Sequence, residues 1–359
     1  MKVLMTADAV GGVWTYAVDL SRALVDRGHE VVLATMGPAP DAAQRRDAAH
    51  ATLVVSERKL EWMNDPWRDV DAAGDWLLAL EREHAPDVVH LNGYAHATLP
   101  WRAPALVVAH SCVATWWQAV HGELPPPEYD EYRARVARGL AAARLVVAPT
   151  RALLDAMRPL YRFSAPTLVI PNGRDARGLR EAPKEARALA VGRAWDEAKD
   201  FFTLDEAARG LPFPVDVVGD PRHPDGADAR PFRHARALGR LPREALLDAY
   251  ARAAVFAHPA RYEAFGLAPV EAALSGCALV LSDLATLREV WGDAALYAPV
   301  GDAAAWRDRL RALLDDPART RELAAKAGAR AQRYSVDAMA SSYIQVYSRL
   351  AQEVSASAS

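Results

Sequence analysis

Short apolar runs alternate along the chain with longer segments in which apolar and polar residues recur at helical spacing. The runs are rich in Val, Leu and Ala and carry few charges, which is typical of strands buried on both faces of a parallel sheet. The predicted strands of the first half are 2–7, 31–35, 87–91, 105–109, 145–148 and 167–170. Those of the second half are 188–192, 215–219, 253–257 and 278–282.

The segments between these runs predict helices. Apolar residues recur three or four positions apart over 13–27, 70–84, 131–143, 150–160, 242–252, 303–314, 320–333 and 335–350. The segment 37–68 has mixed signals and predicts a strand followed by a surface excursion. Repeated strand–helix–strand order predicts βαβ units and parallel sheets. The sequence therefore predicts an α/β fold with two doubly wound domains.

A polar, charged segment without apolar periodicity lies near the middle of the chain, where a domain boundary should fall. We predict a first Rossmann-like domain over 1–173, a linker over 174–187 and a second Rossmann-like domain over 188–334. A C-terminal helix over 335–353 and a disordered tail of small residues over 354–359 would follow.

Composition agrees with a soluble globular protein of two domains and argues against some classes. The chain has 359 residues, of which 51% are apolar and 25% charged, and its formal net charge is −3. The length favours about two domains, and the near-neutral charge argues against a nucleic-acid partner. The first apolar run is too short for a signal peptide, and no run approaches the ~20 apolar residues of a membrane helix. We therefore expect a cytoplasmic protein, with Cys112 and Cys277 as buried free thiols.

The stretch 261–276 combines a loop, a glycine and a helix start that together suit a phosphorylated sugar. Glu263 is predicted in the loop and Glu271 in the helix, eight positions later. The first N–H groups of a helix have no partner within it, so the backbone at the helix start can bind phosphate. These N–H groups belong to Phe265, Gly266 and Leu267. The alternative is that both glutamates are solvated surface acids, which the helix dipole favours near an N-terminus.

Two basic residues follow the strand predicted at 188–192. Arg193 and Lys199 lie six positions apart and straddle a loop. An arginine fork and a lysine point charge suit a diphosphate. The alternative is that both are surface charges paired with the acids of the same loop.

Polar residues also follow the strands of the first half. Gly11 and Gly12 come after the first strand and allow close approach of a ligand, although such a pair is often only a tight turn. His90, Asn92 and His110 stand at or just beyond the ends of two later strands, and ligands of open α/β sheets gather at such ends. A histidine in this place is more often structural than catalytic.

The second-half motifs together resemble the donor-binding motif of retaining glycosyltransferases of the GT-B fold, family four (group 1 glycosyltransferases). In that family two glutamates flank a phenylalanine-glycine pair, as Glu263 and Glu271 flank Phe265 and Gly266 here. The resemblance covers nearly the whole chain and is looser in the first half. It implies two Rossmann-like domains facing a central cleft, with the last helix packing back on the first domain.

The resemblance implies a role for each motif residue. Glu263 would hold hydroxyls of the donor sugar, and Glu271 would hold the nucleotide ribose. Arg193 and Lys199 would neutralise the charge that grows on the leaving diphosphate. His110, preferred over His90, would lie close to the donor sugar ring. The N–H groups at the helix start would face the sugar and diphosphate, as would the glycine loop at Gly11 and Gly12, and the nucleotide base would contact Gly239 and Arg240.

The implied activity is transfer of a hexose from a nucleoside diphosphate sugar to an acceptor hydroxyl with retention. The mechanism is front-face: the diphosphate leaves and helps to deprotonate the incoming hydroxyl, with no metal, no cofactor and no covalent glycosyl-enzyme. Glu263 then positions the donor. The first domain selects an acceptor that the sequence does not name. In some relatives a basic face of this domain meets anionic lipid, and the arginine-rich helix at 131–143 is the only feature here that would support peripheral membrane contact.

Three alternatives stand beside this interpretation. A glycosidase would use Glu263 and Glu271 as acid and nucleophile, but it leaves Arg193 and Lys199 unexplained. A nucleotide-sugar epimerase of related two-domain fold shares the cleft. A non-catalytic two-lobed sugar-binding protein would close on a free sugar without reaction.

Overall fold

The computed structural model describes residues 1–180, 182–220 and 230–358. The chain divides into two compact units, each built around one parallel sheet. The first unit comprises Met1–Gln118, Glu123–Gly173 and Val336–Ser359, and the second comprises Ala119–Gly122 and Arg174–Ser335.

Seven parallel strands form the sheet of the first unit. They are β1 Lys2–Asp8, β2 Glu30–Met36, β3 Thr52–Val55, β4 Val88–Leu91, β5 Ala105–Val108, β6 Leu145–Ala148 and β7 Thr167–Val169. Their order is β3-β2-β1-β4-β5-β6-β7. In β1, Leu4 pairs with Val32 on one side and Val89 on the other. The order reverses between β1 and β4, which makes that edge the topological switch point of a Rossmann-like sheet.

Helices connect these strands. They are α1 Gly12–Val25, α2 Ala42–Asp47, α3 Trp67–His84, α4 Val113–His121, α5 Asp130–Ala142 and α6 Arg151–Tyr161. The side chain of Thr150 caps α6 by accepting a hydrogen bond from Leu153 N.

The second unit repeats the plan with six parallel strands. They are β8 Glu185–Val191, β9 Val215–Val218, β10 Arg236–Gly239, β11 Ala253–His258, β12 Ala278–Ser282 and β13 Leu296–Ala298. Their order, β10-β9-β8-β11-β12-β13, reverses between β8 and β11. The helices of this half are α7 Phe201–Ala208, α8 Arg243–Arg252, α9 Leu267–Leu274, α10 Ala285–Trp291, α11 Ala303–Leu314 and α12 Pro317–Ala331.

The last helix, α13 Val336–Ala358, belongs to the first unit. It packs against α1 and β4, and its residues Met339, Tyr343 and Tyr347 are buried in the same core cluster as Leu20 and Leu24 of α1. The two doubly wound domains and the return of the last helix to the first domain confirm the predicted fold class.

Two of the boundaries that differ from the sequence prediction change the predicted domain plan. Strand β8 begins at Glu185, so it takes up the end of the linker predicted over 174–187; residue 181 of that segment lies outside the described residues. The backbone of α13 continues through Ala358, where the sequence predicted a disordered tail over 354–359. Once a helix has formed, each further residue adds a hydrogen bond without a new nucleation cost, so small residues can extend it. Residue 359 lies outside the described part.

The arginines of α5 have acidic neighbours. Arg133 pairs with Asp130, and Arg135 pairs with Glu131 at 2.7 Å and with Asp71. Arg138 lies 3.5 Å from the same Glu131 carboxylate. These pairs reduce the net positive charge of the helix face that the sequence singled out.

The two cysteines, Cys112 and Cys277, are free and buried, as predicted. Burial raises the pKa of the Cys277 thiol to about 11, so this thiol is protonated at neutral pH. Within the described residues, no helix is both long enough and apolar enough to span a membrane.

Two helical glycines offer a matched stability test. A Cβ on Gly139 in α5 would lie 2.0 Å from the carbonyl oxygen of Tyr94, whereas a Cβ on Gly328 in α12 would lie 3.5 Å from its nearest neighbour, the carbonyl oxygen of Ala273. We expect Gly139→Ala to destabilise the protein by roughly 3 kcal/mol through overpacking. Gly328→Ala should stabilise it by about 0.5–1 kcal/mol because alanine lowers the entropy of the unfolded chain.

Urea unfolding of both variants checks this pair of predictions. A Gly139→Ala protein as stable as the wild type would show that α5 does not pack on the backbone at Tyr94. A destabilised Gly328→Ala protein would contradict the space found beside α12.

Candidate functional site

The switch point of the second sheet carries two of the motifs found in the sequence. Strand β8 ends at Val191 and leads into the loop that carries Arg193 and Lys199; β11 ends at His258 and leads into the loop that carries Glu263. Because β8 and β11 are neighbours in a parallel sheet, both loops leave the same edge. The fold thus brings together residues that are 64 positions apart in the sequence.

Lys199, His258 and Glu263 form a hydrogen-bonded group at this edge. The Lys199 ammonium donates to Glu263 Oε2 at 2.8 Å, and His258 Nε2 lies 3.0 Å from the same oxygen. Only 16% of the Lys199 side chain and 17% of the Glu263 side chain are exposed. The stem of Lys199 lies over Gly192, where a Cβ would be 3.5 Å from its Cγ and Cδ.

The surroundings keep Glu263 ionised. Burial by itself would raise the pKa of this carboxyl, but the charge of Lys199 and the hydrogen bond from His258 outweigh burial and hold the pKa well below its ordinary value. Burial lowers the pKa of His258, so the ring is neutral and Nε2–H donates to Glu263. Its Nδ1 atom is buried and has no hydrogen-bond partner within the described residues.

Arg193 lies in the same loop but pairs with a different acid. Its Nη2 atom is 2.5 Å from Asp196 Oδ2, and its guanidinium lies 5.2 Å from the centre of the Trp195 ring. Asp196 also accepts a hydrogen bond from Ala198 N, which fixes the turn before Lys199. The Arg193 side chain is 43% exposed, so the structure does not place it in the buried group around Glu263.

The helix after the Glu263 loop begins as the sequence predicted. Gly266 is the N-cap of α9 with φ 93°, a left-handed conformation that favours glycine. In the described part of the chain, the N–H groups of Gly266 and Leu267 have no hydrogen-bond partner outside the helix. The N–H group of Phe265 differs, because it lies 3.5 Å from Glu263 Oε1. The Phe265 ring is buried in the core under α9.

Glu271 is held by two residues that the sequence analysis did not select. Arg174 Nε donates to Glu271 Oε1 at 2.5 Å, and the Tyr250 hydroxyl donates to Glu271 Oε2 at 2.9 Å. The sequence placed Arg174 in the linker, yet its side chain is 10% exposed. A carboxylate offers about four lone pairs, so these bonds leave acceptor capacity for a further hydroxyl.

Gly239 and Arg240 lie at the end of the edge strand β10. Gly239 has φ +65°, and a Cβ there would meet no atom within 4 Å. Its carbonyl accepts a hydrogen bond from Gly219 N at 2.9 Å. Arg240 is exposed.

The first unit carries the remaining predicted residues at its own switch point. Gly11 is the N-cap of α1 with φ 84°, Gly12 is the first residue of the helix, and both are exposed. Strand β5 ends two residues before His110, and β4 ends at Leu91, directly before Asn92. The structure brings these last two together, since His110 Nε2 lies 2.8 Å from Asn92 Oδ1.

His90 and His110 are neutral in the folded protein. Burial and the neighbouring His110 lower the pKa of His90 to about 3, and burial lowers the pKa of His110 to about 3. An unfolded histidine binds a proton near pH 6.5. Between about pH 6.5 and pH 3 the unfolded chain therefore binds more protons than the folded one, and stability falls as pH falls.

We therefore expect acid to destabilise the wild type more than a variant without one of these rings. The midpoint of urea unfolding should fall between pH 7.5 and pH 5 in the wild type, and it should fall less in His90→Gln. Equal decreases in the two proteins would show that His90 is not a neutral buried imidazole.

Residues missed by the sequence analysis act through contacts that are distant in sequence. His258 was taken only as the end of its strand, and Tyr250 only as part of a helix. The six-residue helix of the mixed segment, α2, was also missed because none of its residues is buried and it has no apolar period. Its capping box, Asp41 with Gln44, was a signal that could have revealed it.

Comparison with known proteins gives two family matches that together span residues 10–334. Residues 10–177 match the model of Glycosyltransferase Family 4. Residues 178–334 match the model of Glycosyl transferases group 1. The second match contains Arg193, Lys199, Glu263 and Glu271.

Curated relatives are similar over nearly the full length. A D-inositol 3-phosphate glycosyltransferase of Xylanimonas cellulosilytica is 29% identical over 396 residues, covering 96% of this chain and 93% of the relative. A phosphatidyl-myo-inositol mannosyltransferase of Mycolicibacterium smegmatis is 27% identical over 371 residues, covering 95% and 90%.

Solved structures share the fold. Sucrose-phosphate synthase from Thermosynechococcus elongatus superposes with a TM-score of 0.81 at 19% identity, covering 98% of this chain and 99% of that one. The Anabaena protein Alr3699/HepE, in complex with UDP and glucose, gives 0.74 at 18% identity, with 97% and 99% covered. With its two parallel-sheet Rossmann-like domains and both family matches, this chain is a glycosyltransferase of the GT-B fold and belongs to the group 1 glycosyltransferases, family four.

Proposed function

We propose that this glycosyltransferase moves a hexose from a nucleoside diphosphate sugar to an acceptor hydroxyl with retention of configuration. The observation that carries the proposal is the contact between Lys199 and Glu263 at the switch point of the second sheet, 2.8 Å between Nζ and Oε2. A diphosphate needs a cation, and a sugar needs a hydrogen-bond acceptor. This pair offers both in one place.

Lys199 can serve the carboxylate and a phosphate at once. An ammonium group has three N–H donors, and one of them is directed at Glu263. The others are available to the oxygens of a diphosphate, toward which Arg193 would add a second positive charge from the same loop. Low solvent exposure strengthens such charge interactions, because water screens them less.

The start of α9 supports the same assignment. The N–H groups of Gly266 and Leu267 and the positive end of the helix dipole suit an anion or a sugar oxygen. Glu271, four residues further on, has the acceptor capacity for ribose hydroxyls while Arg174 and Tyr250 fix its orientation.

The mechanism that we propose is front-face. The diphosphate leaves toward Lys199 and Arg193, whose charges stabilise it, and its oxygen takes the proton of the incoming acceptor hydroxyl. Glu263 remains a carboxylate that orients the donor sugar. In this scheme neither a metal ion nor a cofactor takes part.

The acceptor is expected at the first unit. A small pocket, open to solvent, lies at the carboxyl ends of β1, β2 and β4, and polar groups including Asp8, Lys59 and Asn92 line it. Two relatives are named for acceptors that contain an inositol phosphate group. Inositol phosphates are therefore the first acceptors to try, and the Anabaena complex with UDP and glucose makes UDP-glucose a first donor.

The test uses hydrolysis of the donor, with water in place of the unknown acceptor. UDP-, GDP-, ADP- and dTDP-hexoses with α linkage are incubated with the protein and EDTA, and proton NMR follows the released sugar before it mutarotates. We expect one donor to be hydrolysed with the α anomer formed first. A β anomer formed first would refute retention, and activity restored only by added Mg²⁺ would refute the metal-independent mechanism.

A further inference from the structure

The hydrogen bonds of the Asn92 side chain fix which way its amide group faces. Its Nδ2 atom lies 2.6 Å from the carbonyl oxygen of Thr6, and its backbone N–H donates to Thr6 Oγ1 at 2.9 Å. A carbonyl oxygen only accepts hydrogen bonds, so the NH₂ group must face Thr6. The amide oxygen then points the other way, toward the two histidines.

Both imidazoles direct the same ring nitrogen at this oxygen. His110 Nε2 is 2.8 Å and His90 Nε2 is 3.2 Å from Asn92 Oδ1. An amide oxygen cannot donate, so each Nε2 must carry the hydrogen. Because each ring is neutral at pH 7 and holds one proton, each Nδ1 is a bare lone pair.

The far side of His90 agrees with this assignment. Its Nδ1 atom lies 2.6 Å from the hydroxyl of Tyr347 on α13. A tyrosine hydroxyl donates readily to an unprotonated ring nitrogen, so Tyr347 holds His90 in the tautomer that donates to Asn92. The Tyr16 hydroxyl, 3.4 Å from His90 Nε2, can only accept there.

His110 differs from His90 in what faces its second nitrogen. Within the described residues, Nδ1 of His110 makes no hydrogen bond, and the side chain is partly exposed beyond the end of β5. The Tyr16 ring packs against the imidazole edge at 4.5 Å between centroids. The atom that a ligand meets at this position is therefore a hydrogen-bond acceptor.

We propose that Asn92 is a positioning residue that locks His110 in the Nε2–H tautomer, so that Nδ1 accepts a hydrogen bond from a substrate hydroxyl that binds at the first unit. His90 and Tyr347 support the lock by holding the amide oxygen from the other side. This inference rests on the proposed function, in which both the donor and the acceptor carry hydroxyl groups. It adds to that function the residue that decides which hydrogen bond His110 can make.

The first test reads the tautomer directly. The full-length protein is labelled with ¹⁵N-histidine, its His110 signals are assigned with His110→Gln, and long-range ¹H–¹⁵N spectra distinguish protonated from bare ring nitrogens. We expect His110 of the wild type to show a protonated Nε2 and a bare Nδ1 at pH 7. A Nδ1–H ring, or an average of both tautomers, in the wild-type protein would overturn the inference.

The second test couples the tautomer to catalysis. Asn92→Ala should give His110 mixed tautomers and lower kcat for donor hydrolysis about 10- to 100-fold, as loss of an orienting partner does at other sites. KM for the donor should change less, since the phosphate contacts remain. An unchanged kcat with mixed tautomers would show that the lock has no role in the reaction.

Two tyrosines on one helix supply the matched control. Tyr343 and Tyr347 are both 0% exposed and lie one turn apart on α13, and of these two it is Tyr347 that hydrogen-bonds to His90. Tyr347→Phe should shift the Nδ1 signal of His90, and Tyr343→Phe should not. If both variants gave the same His90 Nδ1 signal, Tyr347 would not hold the tautomer of His90. If the wild type hydrolyses no nucleoside diphosphate sugar, the proposed function fails, and the Asn92 lock is then decided by the tautomer alone.

Discussion

Replacing Lys199 by methionine is expected to lower turnover of the donor by about 10²–10³-fold, the loss typical of removing one charged group that stabilises a transition state. Methionine keeps the stem that packs over Gly192 and removes only the ammonium group. The loss should appear in kcat, because charge grows on the diphosphate as the bond to the sugar breaks. Release of nucleoside diphosphate during donor hydrolysis measures it.

Two controls separate chemistry from folding. Lys326 pairs with Glu322 at 2.9 Å with 54% of its side chain exposed, so Lys326→Met should leave both stability and turnover near wild type. Lys199→Met also leaves Glu263 without its cation, and the double variant Lys199→Met/Glu263→Gln removes that unpaired charge. A Lys199→Met protein that folds and turns over at the wild-type rate would contradict the assigned role.

Changing Glu263 to glutamine should lower kcat by about 10²-fold, whereas the same change at Glu271 should mainly weaken nucleotide binding. Glu263 lies in the group that would orient the reacting sugar, and glutamine keeps its shape but removes the charge that balances Lys199. Glu271 would contact the ribose, whose environment is the same before and during the reaction. Uniform binding of this kind changes KM more than kcat.

Steady-state kinetics of the two isosteric variants checks this division. Each carboxylate is hydrogen-bonded by two polar side chains, so folding losses should be comparable, and thermal unfolding measures them. If Glu271→Gln lost kcat and Glu263→Gln lost only affinity, the roles assigned to the two glutamates would be reversed.

The fold was predictable because its signals are local. Strands buried on both faces of a parallel sheet must be continuous apolar runs, and β1, β6 and β12 lie within a residue of the runs that predicted them. Helix α2 gave no such signal because it buries no side chain. The sequence also did not predict the full length of α13, because small residues extend a helix only where a helix has already formed.

The candidate site was predictable only in part. Lys199 and Glu263 stood out because each follows a strand end, and strand ends of a parallel sheet meet at one edge. The contact between Lys199 and Glu263, and the hydrogen bond of His258 to Glu263, depend on loop geometry. The spacing of these residues in the sequence does not determine that geometry. Arg174 was assigned to the linker because its neighbours are polar, although its side chain is buried against Glu271. The role inferred for Asn92 could not be predicted from the sequence, because it depends on the two imidazoles that the fold places at its amide oxygen.

Calorimetric titration of UDP, GDP, ADP and dTDP into the protein in the presence of EDTA decides whether a diphosphate binds at the edge that carries Lys199 and Glu263. We expect one of them to bind to the wild type and to Lys326→Met. We expect its binding to be weakened in Lys199→Met and in Arg193→Ala. If none of the four bound, or if the bound diphosphate bound equally well to both site variants, the diphosphate would not lie at the edge that carries Lys199 and Glu263.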